Sequence, residues 1–160
     1  MDLAHQIEPM VNPGVLVEAL SRGLPAERLV LDPDVLAAIS HDDAEWAPTG
    51  QASVGVRARS EAEVQHVVRV CAELGAPVVP RGGGTGLSGG ANAVRGCVIL
   101  DVSAMNQVLE IDQDNLLAVV QPGVINGPDR HAGGVGCRRG GGHRRHHDRR
   151  RGHLGGTVDR

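Results

Sequence analysis

Between residues 60 and 75 the apolar side chains Val64, Val67, Val68, Cys71 and Leu74 recur at steps of three and four. This spacing predicts a helix with one apolar face. Ser60 followed by Glu63 forms a capping box at its start, and Gly75 stands where a C-terminal cap belongs. Upstream, Asn12-Pro13 reads as an N-cap with proline in the first helical position, opening a short helix through Val15, Leu16 and Leu20. A second short helix is expected after Asp32, starting at Pro33 and carrying Val35, Leu36 and Ile39 on one face. Trp46-Ala47-Pro48 reads as extended connection. Residues 52–57 alternate small or apolar with polar positions, the period of a strand. Val78-Val79, bracketed by Pro77 and Pro80, and Val98-Ile99-Leu100 read as short buried strands. The runs 108–111 and 117–120, separated by the polar turn Asp112-Gln113-Asp114-Asn115, predict a β-hairpin. The fold class expected is α/β (α+β), with the clearest stretch at 52–121.

A chain of 160 residues suffices for one domain. It contains one Trp and no Tyr or Phe. Domains ordinarily use large aromatics to fill a core, so their absence suggests an incomplete unit. No apolar run is long enough to span a membrane, and the first residues show neither a basic nor an apolar signal region. Cys71, Cys97 and Cys137 are too few and too scattered for a disulfide framework or a zinc site. A reducing, cytoplasmic setting is expected, and no metal ligands are assigned.

Charge divides the chain. Residues 1–130 hold 8 Arg and 17 acids, a net −9, whereas residues 131–160 hold 8 Arg and 2 acids, a net +6. Those last thirty also contain nine Gly and five of the eight His. They show no helical or strand period and cannot build a core. The organisation expected is a helical segment at 1–39, a folded segment at 40–127, and a low-complexity, disordered Arg/Gly/His-rich tail at 128–160.

The candidate chemistry lies in Pro80-Arg81-Gly82-Gly83-Gly84-Thr85-Gly86-Leu87-Ser88-Gly89-Gly90, with six glycines in eleven residues. Successive glycines let backbone N–H groups converge into an anion-binding concavity. A nucleotide pyrophosphate is the natural guest, with Thr85 and Ser88 hydroxyls and the Arg81 charge in support. A flexible linker is the plain alternative, but this stretch is short and sits between two apolar strands. Residues 84–89 match the dinucleotide fingerprint literally, with Asp101 at a plausible distance for a ribose contact. That fold needs a crossover helix, and the eight residues from Gly90 to Cys97 offer no apolar face for one. No Gly-Lys-Ser/Thr is present for a Walker loop. The glycines must therefore join their strands without a Rossmann helix, and Asp101 reads as a turn or capping residue.

The run from Pro77 to Ala91 strongly resembles the pyrophosphate loop of the FAD-linked oxidases of the p-cresol methylhydroxylase/vanillyl-alcohol oxidase superfamily. Within it, the branch of glycolate oxidase and D-lactate dehydrogenase is most similar. Arg59-Ser60-Glu61-Ala62-Glu63-Val64 resembles that family's first strand-to-helix junction. Val119-Val120-Gln121-Pro122-Gly123-Val124 resembles its strand ending in a Pro-Gly turn near the flavin. The resemblance implies FAD as cofactor, with Arg81 to Ser88 wrapping its pyrophosphate, Gly89 and Gly90 continuing the wall, and Gln121, Pro122 and Gly123 close to the cofactor. A plain strand-ending turn accounts for the last three equally well. His41-Asp42-Asp43 is similar to a segment upstream of the loop in this branch, but a surface turn explains it equally well and no chemistry is assigned to it.

By the same resemblance, an intact relative oxidises a 2-hydroxy acid through FAD. The likeness ends after Ile125-Asn126-Gly127, before the second flavin subdomain and the substrate domain. No catalytic residue is assigned, residues 40–127 are expected to form a partial FAD-binding domain, and the isolated chain is expected to bind FAD weakly or not at all. All 16 basic charges are Arg, which points to GC-rich DNA. The tail is accordingly expected to be a frameshift product, a view that fails if no alternative frame downstream encodes the missing domain. Competing expectations are a flavin- or partner-binding module without catalysis and salt-sensitive nucleic-acid binding by the tail's arginines, which the lack of aromatics disfavours. Metal binding by His143, His146, His147 and Asp148 lacks a rigid scaffold.

Overall fold

The computed structural model describes residues 11–125. The tail, with its candidate metal and nucleic-acid residues, lies outside them. Helix α1 (Pro13–Ser21) opens as its cap predicts, the Asn12 side chain accepting a hydrogen bond from the Gly14 N–H at 2.8 Å. Strand β1 (Leu29–Val30) follows a short 3-10 turn; two residues are too few to reveal a period, and the sequence does not announce it. Helix α2 (Pro33–Ile39) repeats the device of α1, with Asp32 capping Asp34 and Val35. Strand β2 (Val54–Arg57), helix α3 (Glu61–Leu74), strand β3 (Val78–Arg81) and strand β4 (Val98–Asp101) complete the main unit. The hairpin β5 (Val108–Asp112) and β6 (Leu117–Val120) comes last.

Four strands form one sheet in the order β1-β2-β4-β3, with β2 and β3 parallel to the central β4 and β1 antiparallel to β2. The sheet is covered on both sides. Val54, Val56, Val98 and Leu100 pack with Leu16 and Leu20 of α1 and Val67, Val70 and Cys71 of α3. Ile99 and Val79 point to the other side, among Ala52, Ala93 and Cys97, with Leu36 and Ile39 of α2 against them. The alternation expected at 52–57 is therefore real, but its small positions are not solvent-facing. A side chain at Gly55 would begin 2.9 Å from Ile39 Cδ1, so glycine is what lets α2 approach.

Helix α3 keeps its capping box in modified form. Ser60 accepts from the Glu63 N–H, while the Glu63 carboxylate takes the Arg59 N–H at 2.6 Å and the Arg28 guanidinium at 3.1 Å. Gly75 closes the helix with φ 71°. The buried face differs from expectation at one position, since Val68 is 48% exposed and Val70 is buried instead. At 100° per residue these two valines flank the apolar stripe on opposite sides, so the period alone does not choose between them. Packing chooses, because Val70 joins the cluster formed with α1 and the sheet. Val15 and Val35 are likewise exposed, since Leu16 and Leu20 of α1 and Leu36 and Ile39 of α2 are the side chains that meet the core.

Burial pushes the Cys71 thiol up to about 11, with Cys97 adding to the shift, and burial also raises Cys97. A raised value means that stability is whole below the ordinary thiol value of 9.0 and declines as pH rises towards 11. At pH 8, iodoacetamide should spare both thiols in the folded chain and modify both in urea. Rapid labelling of either one before unfolding, read by peptide mass, would mean the core around α3 and β4 is open.

Candidate cofactor-binding site

The glycine run leaves the carboxyl end of β3. Pro80 and Arg81 belong to the strand itself, in register with Leu100 and Asp101. Pro80 is tolerated because β3 is an edge strand. Residues 82–97 then return to β4 without a helix, as the sequence requires. Gly84 and Gly89 adopt φ of 73° and 74°, a region other residues enter only at a cost.

What shapes this loop is the connection between α2 and β2. The Arg81 guanidinium donates to the His41 carbonyl and lies against Gly84, which ties it to the loop. The Asp43 N–H donates to the Gly86 carbonyl at 3.0 Å. Asp42, only 4% exposed, accepts from the Ala44 N–H at 3.0 Å and the Ala91 N–H at 3.4 Å. The Asp42 N–H donates to Asn92 Oδ1 at 2.8 Å, and the Asn92 amide donates onward to the carbonyls of Ala47 and Pro48. The Ala93 N–H reaches the Ser40 carbonyl at 2.8 Å. His41-Asp42-Asp43 is thus no plain surface turn, and Asn92 is a partner that no sequence motif signalled. The only available sign was the resemblance of 41–43 to a segment of the family.

The Pro-Gly turn comes to the same place. Gln121 exchanges backbone and side-chain hydrogen bonds with Gln107 at 2.8 and 2.9 Å. The Gly123 N–H donates to the Met105 carbonyl at 2.8 Å, and the Pro122 carbonyl lies 3.6 Å from where a Gly82 side chain would begin. Asp101 behaves as a turn residue, its Oδ1 taking the Ser103 N–H at 2.9 Å.

Two properties of the loop point outward. Among the described residues, the backbone N–H groups of residues 82–90 donate to no protein acceptor. At Gly83 and Gly90 a Cβ would meet nothing within 4 Å, and neither residue has a left-handed φ. Nothing in the packing of the described residues calls for glycine at these two positions. A row of unpaired donors above a surface kept free of side chains suits a phosphate group.

Comparison with known proteins agrees. Residues 52–128 match the family model described as an FAD binding domain. Residues 52–128 are an FAD binding domain similar to that of the FAD-linked oxidases of the p-cresol methylhydroxylase type. Its cofactor is FAD. Glycolate oxidase subunit GlcD of Bacillus subtilis is 48% identical over 67 residues, which cover 42% of this chain and 14% of that protein. D-lactate dehydrogenase of Anaerostipes hadrus is 33% identical over 99 residues, covering 62% and 21%. The crystal structure of p-cresol methylhydroxylase with substrate bound superposes with a TM-score of 0.60 at 28% identity, over 69% of this chain and 22% of that one. The chain therefore spans only about a fifth or less of the length of these relatives. Among the described residues of this flavin-binding segment, no helix is long and apolar enough to cross a membrane.

Proposed function

We propose that residues 80–90, together with Gln121, Pro122 and Gly123, hold the pyrophosphate side of FAD in an oxidoreductase acting on a 2-hydroxy acid of the glycolate or D-lactate class. The observation that carries the site is that, among the described residues, the N–H groups at 82–90 have no protein partner and Gly83 and Gly90 face no neighbour that would exclude a side chain. The substrate class is drawn from the relatives that bear those names. In such an enzyme the flavin supplies a hydride acceptor. The residues of this chain bind and orient it: backbone N–H groups neutralise phosphate oxygens, and Thr85 and Ser88, both exposed on the loop, add hydroxyl donors. We assign no residue to the chemical step. Residues 40–127 are proposed as the part of the flavin domain present here, with 1–39 and 128–160 flanking it. A cytoplasmic setting fits the two free, buried cysteines. Leu109, Ile111, Leu117 and Val119 of the hairpin are exposed, which favours completion of the site by further polypeptide, in cis or from a partner.

The test is a nuclear magnetic resonance titration of the full chain with FAD, which registers even millimolar affinity. Shifts should concentrate on the amides of 82–91 and 121–123. Gly83→Ala should leave the melting temperature within about 2 °C and weaken FAD binding at least tenfold, since its methyl group enters space the protein leaves open. No loop shifts at millimolar FAD, or equal affinity in the variant, would overturn the assignment.

A further inference from the structure

A buried carboxylate is the last group expected under a loop that receives an anion. Like charges repel more strongly where water is excluded, yet Asp42 is 4% exposed and touches the loop at two points. We propose that Asp42 is a positioning residue that, with Asn92, sets the shape of the pyrophosphate loop before the cofactor arrives; this rests on the flavin assignment above.

The contacts explain why a carboxylate serves here. Oδ1 takes the Ala44 N–H and so fixes Asp42's own turn, while Oδ2 takes the Ala91 N–H from the far end of the loop. Two acceptor oxygens are needed, one for each donor, and an aspartate side chain presents both where an asparagine presents only one. Gly86 passes so close that a Cβ there would begin 2.9 Å from Oδ2, and its carbonyl is held by the neighbouring Asp43 N–H. Asn92, next to Ala91 in the chain, completes the clasp by accepting the Asp42 N–H. The Gly86 carbonyl and the Ala91 N–H are thereby engaged on the inner side. Among the described residues, the N–H groups of 82–90 are left without a protein partner, as suits a phosphate site. Preorganised donors need no rearrangement on binding, so less free energy is lost in ordering them.

The sign of one substitution separates positioning from charge. Asp42→Asn keeps the side-chain volume but leaves one of the two N–H groups facing an amide NH2. Removing a negative charge should, by electrostatics alone, tighten FAD binding. Positioning predicts the opposite: a dissociation constant at least tenfold higher in the titration of the full chain. In the ligand-free variant, amide exchange at Asp43, Ala91 and Asn92 should accelerate at least tenfold, with α3 and β4 unchanged. Asn92→Ala, which leaves the charge alone, should weaken binding in the same direction. Unchanged or tighter binding by Asp42→Asn, with the parent chain binding normally, would overturn the positioning role and spare the flavin assignment. Exchange accelerated equally in α3 and β4 would also overturn it, by showing a general contribution to stability. A parent chain that fails to bind FAD would overturn the flavin assignment and this role with it.

Discussion

Ile99→Ala is expected to destabilise the chain by about 2–5 kcal/mol, the range for emptying a fully buried aliphatic site, and to lower its melting temperature by roughly 10 °C or more. Ile99 is inaccessible to solvent and sits in β4, which is hydrogen-bonded to β2 on one side and β3 on the other. Its neighbours on that face are small: Ala52, Ala93 and Cys97, with Val79 beside them. The chain has no Phe or Tyr that could swing into the gap. The nearest larger groups, Leu36 and Ile39, are tied to α2, whose approach is already limited by contact with Gly55. The cavity should therefore persist, which places the loss in the upper part of the range. Ala93 lies at the end of the glycine loop, so the loop would lose its floor as well. Urea unfolding followed by circular dichroism measures the effect. A loss below 1 kcal/mol would mean that α2 and the loop do not close over the sheet. Val68→Ala is the useful contrast, because a half-exposed valine on the same scale should change stability by about 0.5 kcal/mol or less.

That contrast marks what the sequence could reveal. Local period and local caps are readable, since a helix face and its caps involve residues three or four apart; α3, its Ser60 cap, Gly75 and the 108–120 hairpin all appear where those signals put them. Which of two flanking valines meets the core depends on the elements packed against the helix, so Val70 is buried where Val68 is expected. The glycine run was legible because many glycines in a short space between strands have few uses. Its clasp was not. Asp42 and Asn92 are fifty residues apart, and each looks alone like an ordinary polar turn residue. Burial, which turns such residues into structure, comes only with the fold. The same holds for Arg81, whose charge suggests a phosphate contact but whose guanidinium is bonded to the His41 carbonyl.

Gly123→Ala is expected to cost about 2–4 kcal/mol, combining 1–3 kcal/mol of steric misfit with about 1 kcal/mol for a strained hydrogen bond. A Cβ at this position would collide with the carbonyl oxygens of Val102 and Ser103, the latter at 2.6 Å. Both are backbone atoms in the turn that Asp101 fixes by accepting the Ser103 N–H, so neither can swing aside as a side chain would. The Pro-Gly turn must move instead, straining the bond from the Gly123 N–H to the Met105 carbonyl and drawing the Pro122 carbonyl away from Gly82. Thermal unfolding should show the loss whether or not FAD is present. Gly83→Ala should do the reverse, sparing stability and impairing binding. The two variants together separate glycines that the fold needs from glycines that the cofactor needs. If Gly123→Ala instead kept its melting temperature and lost FAD affinity alone, the Pro-Gly turn would be a cofactor contact first and a structural corner second.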